Sequence, residues 1–169
     1  MHMAGGMVSS MLAGIVLLAG VGSGIARADT PVRPSPRANA DIEHFPVLDP
    51  PPGMSLPFSA AVRVGDMLYL SGELGTKDGK LVAGGIGPET RQLMDNIGAT
   101  LARAGSSFAH VVQCTVALAD IDDWPAFNAV YRTYFERNFP ARMAYASGGL
   151  ALGARVEVQC NAVVARRDG

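Results

Sequence analysis

Residues 154–164 constrain the fold more than any other stretch of the chain. Val156, Val158, Cys160, Ala162 and Val164 alternate there with Arg155, Glu157, Gln159 and Asn161. A period of two is a strand with one apolar and one polar side, so the chain must build a sheet and cover one side of it. The polar side is left to face solvent or another subunit. Any chemistry carried by Glu157 and Gln159 would happen there.

The elements that can cover the apolar side precede this strand. Residues 59–64 and 67–72 read as two strands about the turn pair Gly65 and Asp66. Pro88 at the first helical position, Glu89 in the first turn and Gly105 as the stop bracket a helix. Leu93, Ile97, Leu101 and Ala104 give that helix one apolar stripe. The β-branched run 111–118 reads as a buried strand. Asp122 or Asp123 caps a second helix, whose Trp124, Phe127, Val130, Tyr131, Tyr134 and Phe135 recur at helical spacing as core. Asn138, Phe139 and Pro140 stop it, and strands over 141–147 and 154–165 close the chain. The order ββαβαββ gives an α+β fold of two layers, one sheet with both helices on one face.

The first 57 residues read differently. An apolar run over 11–21, too short for a stable membrane span, is followed by the small-x-small pattern Ala26, Arg27, Ala28. This predicts a signal peptide over 1–28 and an exported protein, periplasmic or secreted, with no membrane contact once the signal is cut. Eight prolines between 31 and 57 make residues 29–56 a Pro-rich linker or surface arm. The folded domain is expected over 57–169.

Composition removes several function classes. The net charge is −1 for the whole chain, and loss of Arg27 with the signal makes it −2. Arg155, Arg166 and Arg167 are too few for a nucleic-acid patch. His2, His44 and His110 have no ligand spacing among themselves or with the cysteines, so no metal site is expected. His110, alone at a strand entry, reads as a surface or capping residue. Cys114 and Cys160 fall in expected core strands and read as small buried thiols. Pairing is the alternative, and it needs Cα atoms within about 7 Å.

Five positions carry possible chemistry. Arg142 follows a proline at the mouth of a strand, and its guanidinium can hold a carboxylate bidentately or sit in a surface ion pair. Glu157 can orient a water or hold a proton, or simply pair with Arg155. Ser71 and Gly72 end a strand, where they offer backbone groups to a ligand or only make a turn. Asn128 can orient a group in a pocket or be an exposed helix residue. Spacing alone does not put Arg142 and Glu157 in one pocket.

Residues 57–165 resemble the RidA (YjgF/YER057c/UK114) enamine/imine deaminases. The resemblance is carried by the stretches 68–72 ending in Ser71 and Gly72, 95–105 with Asp95 and Asn96, 127–135 with Asn128, 139–142 ending in Arg142, and 155–158 with Glu157. It implies a chorismate-mutase-like fold with a mainly antiparallel sheet, assembled as a homotrimer with pockets between subunits. It also implies hydrolysis of a 2-imino acid to a 2-keto acid and ammonia without a cofactor. Arg142 would bind the substrate carboxylate and Glu157 would act on the hydrolytic water. Ser71, Gly72, Asn128, Phe58 and Ala144 would line the substrate site. Phe58 stands where the family often has Tyr, Met143 and Ala144 where the archetypal deaminases have Ser and Cys, and Gln159 where they have a second acid. The alternative is a non-catalytic trimer that binds small carboxylates. Ribonuclease or translation-inhibitor activity, attached to some relatives, is opposed by the slight acidity of the chain.

Overall fold

The structure is a computed structural model that describes residues 41–164 except 49, 51, 52 and 54. The expected signal peptide, most of the expected linker, Arg166 and Arg167 lie outside the described residues.

One sheet organises the domain. Its strands are β1 (Ile42–Phe45), β2 (Ala61–Val64), β3 (Met67–Leu70), β4 (Glu73–Leu74), β7 (Val111–Leu118), β8 (Ala141–Ala146) and β9 (Val156–Val163). The order across it is β1-β2-β3-β9-β7-β8, with β4 continuing β3 along the same side of β9. Strands β5 (Thr76–Lys77) and β6 (Lys80–Leu81) form a small separate hairpin. Among the described strands only β7 and β8 pair in parallel, and α2 is part of the crossover such a pair requires. The helices are α1 (Ile86–Arg103) and α2 (Trp124–Tyr131).

The alternation read in the last strand is present residue by residue. Val156, Val158, Cys160 and Ala162 are fully buried, and the residues between them are half-buried. Their apolar side packs on Leu93, Met94, Ile97 and Leu101 of α1 and Phe127 and Tyr131 of α2. Burial of each such side chain contributes about 1.5–3 kcal/mol before entropy is subtracted, which makes this layer the main source of stability.

Three local expectations need correction. Ile42–Phe45, placed in the linker by its prolines, is a strand that pairs with β2. It lies at the edge of the sheet between Asp41 and Pro46, where the missing N–H groups of proline do no harm. Helix α1 begins at Ile86, two residues before Pro88, with Gly85 at its N-cap. Asp123 stands at the N-cap of α2, as expected, but its side chain makes no cap bond: it pairs with Arg155 at 2.6 Å, while Asp120 accepts from the Asp122 N–H.

The cysteines also depart from expectation. Cys114 and Cys160 form a disulfide, with Cα atoms 4.1 Å apart. They stand directly opposite in the β7–β9 ladder, on the helix side and without solvent exposure. Alternation put each of them in the core, but only the register makes them neighbours.

Candidate functional site

The register fixes which residues share a face. Across β7 and β9, Cys114 opposes Cys160 and Val116 opposes Val158 on the helix side, while Thr115 opposes Gln159 and Ala117 opposes Glu157 on the open side. Strand β8 adds Arg142 beside Cys114 and Ala144 beside Val116, and puts Met143 and Tyr145 beside Thr115 and Ala117. Arg142 therefore belongs to the helix side and Glu157 to the open side. Within one copy the two residues do not share a pocket.

The open-side group centres on Glu157. Its strand lies inside the sheet, with β4 on one side and β7 on the other. The chain passes Glu157 at Gly72, and a Cβ at that position would overlap the carboxylate. Gly72 is thus there for the close approach, not only for the turn. Ser71 donates its hydroxyl to the Ser59 carbonyl at 2.6 Å, which ties the strand end to the segment carrying exposed Phe58. Glu157 and Gln159 line an open pocket of about 260 Å³ together with Thr115, Ala117, Tyr145 and Ser147. Gln159 donates to the Leu70 carbonyl at 3.1 Å and to Asn161 at 2.7 Å, so its amide braces the neighbouring strand. Arg155 is occupied by Asp123, which removes the ion pair that could have explained Glu157.

Glu73, the first residue of β4, adds a second carboxyl. It opposes Val158 on the helix side and accepts a hydrogen bond from Asn96 of α1 at 3.2 Å. Burial raises its pKa above 4.5. The bonds from Asn96 and the Leu74 backbone oppose that rise, and the charge of Glu157 adds to it.

The helix-side group centres on Arg142. Its guanidinium carbon lies 4.8 Å from the Tyr131 ring centre, 5.2 Å from Trp124 and 5.7 Å from Phe127. Among the described residues no carboxylate pairs with it. Ala144, two residues on, shares its side of β8. Asn128 is half-buried one helical turn after Trp124 and so shares that face of α2. The Tyr131 hydroxyl is buried and has no hydrogen-bond partner among the described residues. Burial pushes its pKa up to about 12, against the pull of the Arg142 charge.

The residues singled out from the sequence thus fall into two groups. Phe58, Ser71, Gly72 and Glu157 belong to one, and Asn128, Arg142 and Ala144 to the other. His110 joins neither, and its ring contacts the Ser107 hydroxyl at 3.1 Å.

Residues 51–164 match the family described as Endoribonuclease L-PSP. Among relatives, a human 2-iminobutanoate/2-iminopropanoate deaminase is 43% identical over 114 residues, 66% of this chain and 83% of its own length. The goat (Capra hircus) protein of the same name is 48% identical over 109 residues, 63% of this chain and 80% of its own. The crystal structure of yeast Mmf1 superposes with a TM-score of 0.69 at 28% identity, covering 74% of this chain and all of that one. The expectation of export is corrected by these relatives. Where their names carry a compartment it is an organelle: mitochondrial for mmf2 of Schizosaccharomyces pombe and chloroplastic for Reactive Intermediate Deaminase A of Arabidopsis thaliana. The short apolar run that prompted the expectation is a weak signal without a cationic segment before it. From its strand order, its sequence and its matched length together, the chain belongs to the Endoribonuclease L-PSP family, the RidA (YjgF/YER057c/UK114) proteins.

Proposed function

We propose that this protein hydrolyses 2-imino acids to 2-keto acids and ammonia, and that it does so as a homotrimer whose sites lie between copies. The observation that carries the reading is the placement of Arg142 and Glu157 on opposite faces of one sheet. Two residues so placed can act on one small molecule only if different copies supply them. Strand β8 is at the sheet edge, and its open side carries Met143 and Tyr145, 57% and 47% exposed. Apolar groups so exposed next to a polar pocket fit a surface covered by a second copy. The names of the relatives supply the reaction class.

The chemistry follows from the two groups. Arg142 of one copy grips the substrate carboxylate through parallel N–H···O bonds. That holds the imine carbon near Glu157 of the next copy. Glu157 takes a proton from a water whose oxygen bonds to the imine carbon, while the C=N pair moves onto nitrogen. Return of that proton to nitrogen gives a carbinolamine; Glu157 then moves the hydroxyl proton to the amino group, and C=O forms as the C–N bond breaks, so that ammonia and the keto acid leave. The imine carbon is already electrophilic, so placement contributes most of the acceleration.

Imines generated in place by an amino-acid oxidase test this. The expected result is faster keto-acid and ammonia release with wild type, lost in Arg142→Ala. No acceleration across a panel of amino acids overturns the reading. Ala144 favours a second reading, binding of a small carboxylate without turnover, because it places no proton-transfer group beside Arg142. Arg142-dependent thermal stabilisation by small carboxylates, with no hydrolysis, would select that reading.

A further inference from the structure

We infer that Trp124, Phe127 and Tyr131 are positioning residues for Arg142, forming an aromatic cradle that does the work a paired carboxylate does elsewhere. This rests on Arg142 being the group that takes the substrate carboxylate, and it adds how that cation is held ready.

A guanidinium on an edge strand is mobile unless something orients it. The usual device is an ion pair, which consumes two N–H donors and competes with an incoming anion. Here no carboxylate pairs with Arg142 among the described residues, and three ring faces stand within 4.8–5.7 Å of its carbon. Ring quadrupoles attract the cation and stack against its plane without accepting a directed hydrogen bond. Among the described residues no group takes its five donors, which are left for the ligand.

The sequence builds the cradle from one helix face. Phe127 follows Trp124 by three residues and Tyr131 follows Phe127 by four, so the three rings stack along α2. Phe127 and Tyr131 are themselves in contact, with centres 5.3 Å apart. Both are buried, whereas Trp124 is half-buried and stands at the open end of the cradle. The Tyr131 hydroxyl has no partner among the described residues, so its ring and not its oxygen serves this role.

The chain has a single tryptophan, which makes the cradle self-reporting. Propanoate, transparent where tryptophan absorbs, is the probe. Saturable propanoate binding should change Trp124 emission in wild type and leave it unchanged in Arg142→Gln. By calorimetry, Trp124→Leu should weaken propanoate binding about three- to tenfold. It should raise KM for imine by a similar factor while kcat stays within about twofold. Trp124→Phe should restore most of the affinity, and Tyr131→Phe should bind as wild type. Matched melting temperatures separate these effects from misfolding. Equal affinity in wild type, Trp124→Leu and Trp124→Phe overturns the inference, as does a fall in kcat at unchanged KM. Propanoate binding through Arg142 without any hydrolysis sinks the deaminase reading and leaves the cradle standing. Hydrolysis that is indifferent to Trp124→Leu does the reverse.

Discussion

Glu157 and Arg142 are held in place by opposite means. Glu157 sits in the middle of the sheet, with backbone ladders on both sides and a glycine cut to its shape. Arg142 sits on the edge strand, with a ladder on one side and aromatic side chains beneath. The acid is placed by backbone and the cation by packing. Backbone placement tolerates no added atom but is indifferent to the chemistry of its neighbours. Placement by packing tolerates a ring exchanged for another ring, but not the loss of the ring.

The largest expected effect tests whether the two halves belong to different copies. Arg142→Ala and Glu157→Gln should each lower kcat/KM by about 10³-fold, as removal of a buried charge contact does. Unfolding the two variants together and refolding them should recover activity, because some sites then receive both native residues. Failure to recover, with each variant folded and assembled like wild type, would put both residues in one copy's site and break the comparison.

Next comes the disulfide, which lies between the halves. Replacing Cys114 and Cys160 by Ala should cost about 2–4 kcal/mol of unfolding free energy in urea, since the pair closes a loop of 46 residues. Activity per folded molecule should change little. A large loss of activity at full folding would mean that the two halves communicate through the β7–β9 ladder.

A smaller effect sharpens the account of Glu157. Gly72→Ala puts a methyl group where the carboxylate lies, so the carboxylate must turn away. The expected loss is about tenfold in kcat, near 1.4 kcal/mol, with KM little changed because Arg142 is untouched. Wild-type rates in this variant would remove Gly72 from the site.

The smallest effect concerns Glu73. Its pKa is raised in the folded state above 4.5, so the folded protein holds its proton longer than the unfolded chain does. That contribution is fully present below pH 4.5 and is lost as pH rises through the raised value. Glu73→Gln keeps an acceptor for Asn96 and carries no charge. It should be more stable than wild type at neutral pH, with the gap closing as pH falls. Thermal melts of both proteins from acid to neutral pH read this directly, and a gap that widens toward acid would reverse the sign.

Much of the fold was legible because it rests on periodicity. The strand at Val156–Val163, the stripe on α1 and the aromatic face of α2 each repeat along the chain, and burial follows the repeat. What escaped depends on register, which is a relation between distant residues. The partnership of Cys114 with Cys160 is one case. The separation of Arg142 from Glu157 is another, since each strand's own alternation says nothing about which of its sides matches that of its neighbour. Glu73 was missed because β4 has only two residues, too few for any pattern to show. The edge strand Ile42–Phe45 was hidden by the prolines around it. Asp123 was read as a cap because its position fits one, whereas its charge is spent on Arg155, 32 residues away.

The Cys114–Cys160 bridge has a further use to an experimenter. Both sulfurs lie in the core between strands and helices, beyond the reach of a dissolved thiol. A reductant can attack only when the helix layer has lifted away from that part of the sheet. The rate at which excess thiol cleaves the bridge in native buffer is therefore a stopwatch on that opening. Timed with and without propanoate, it would tell whether filling the cationic end of the domain quiets motion at its middle.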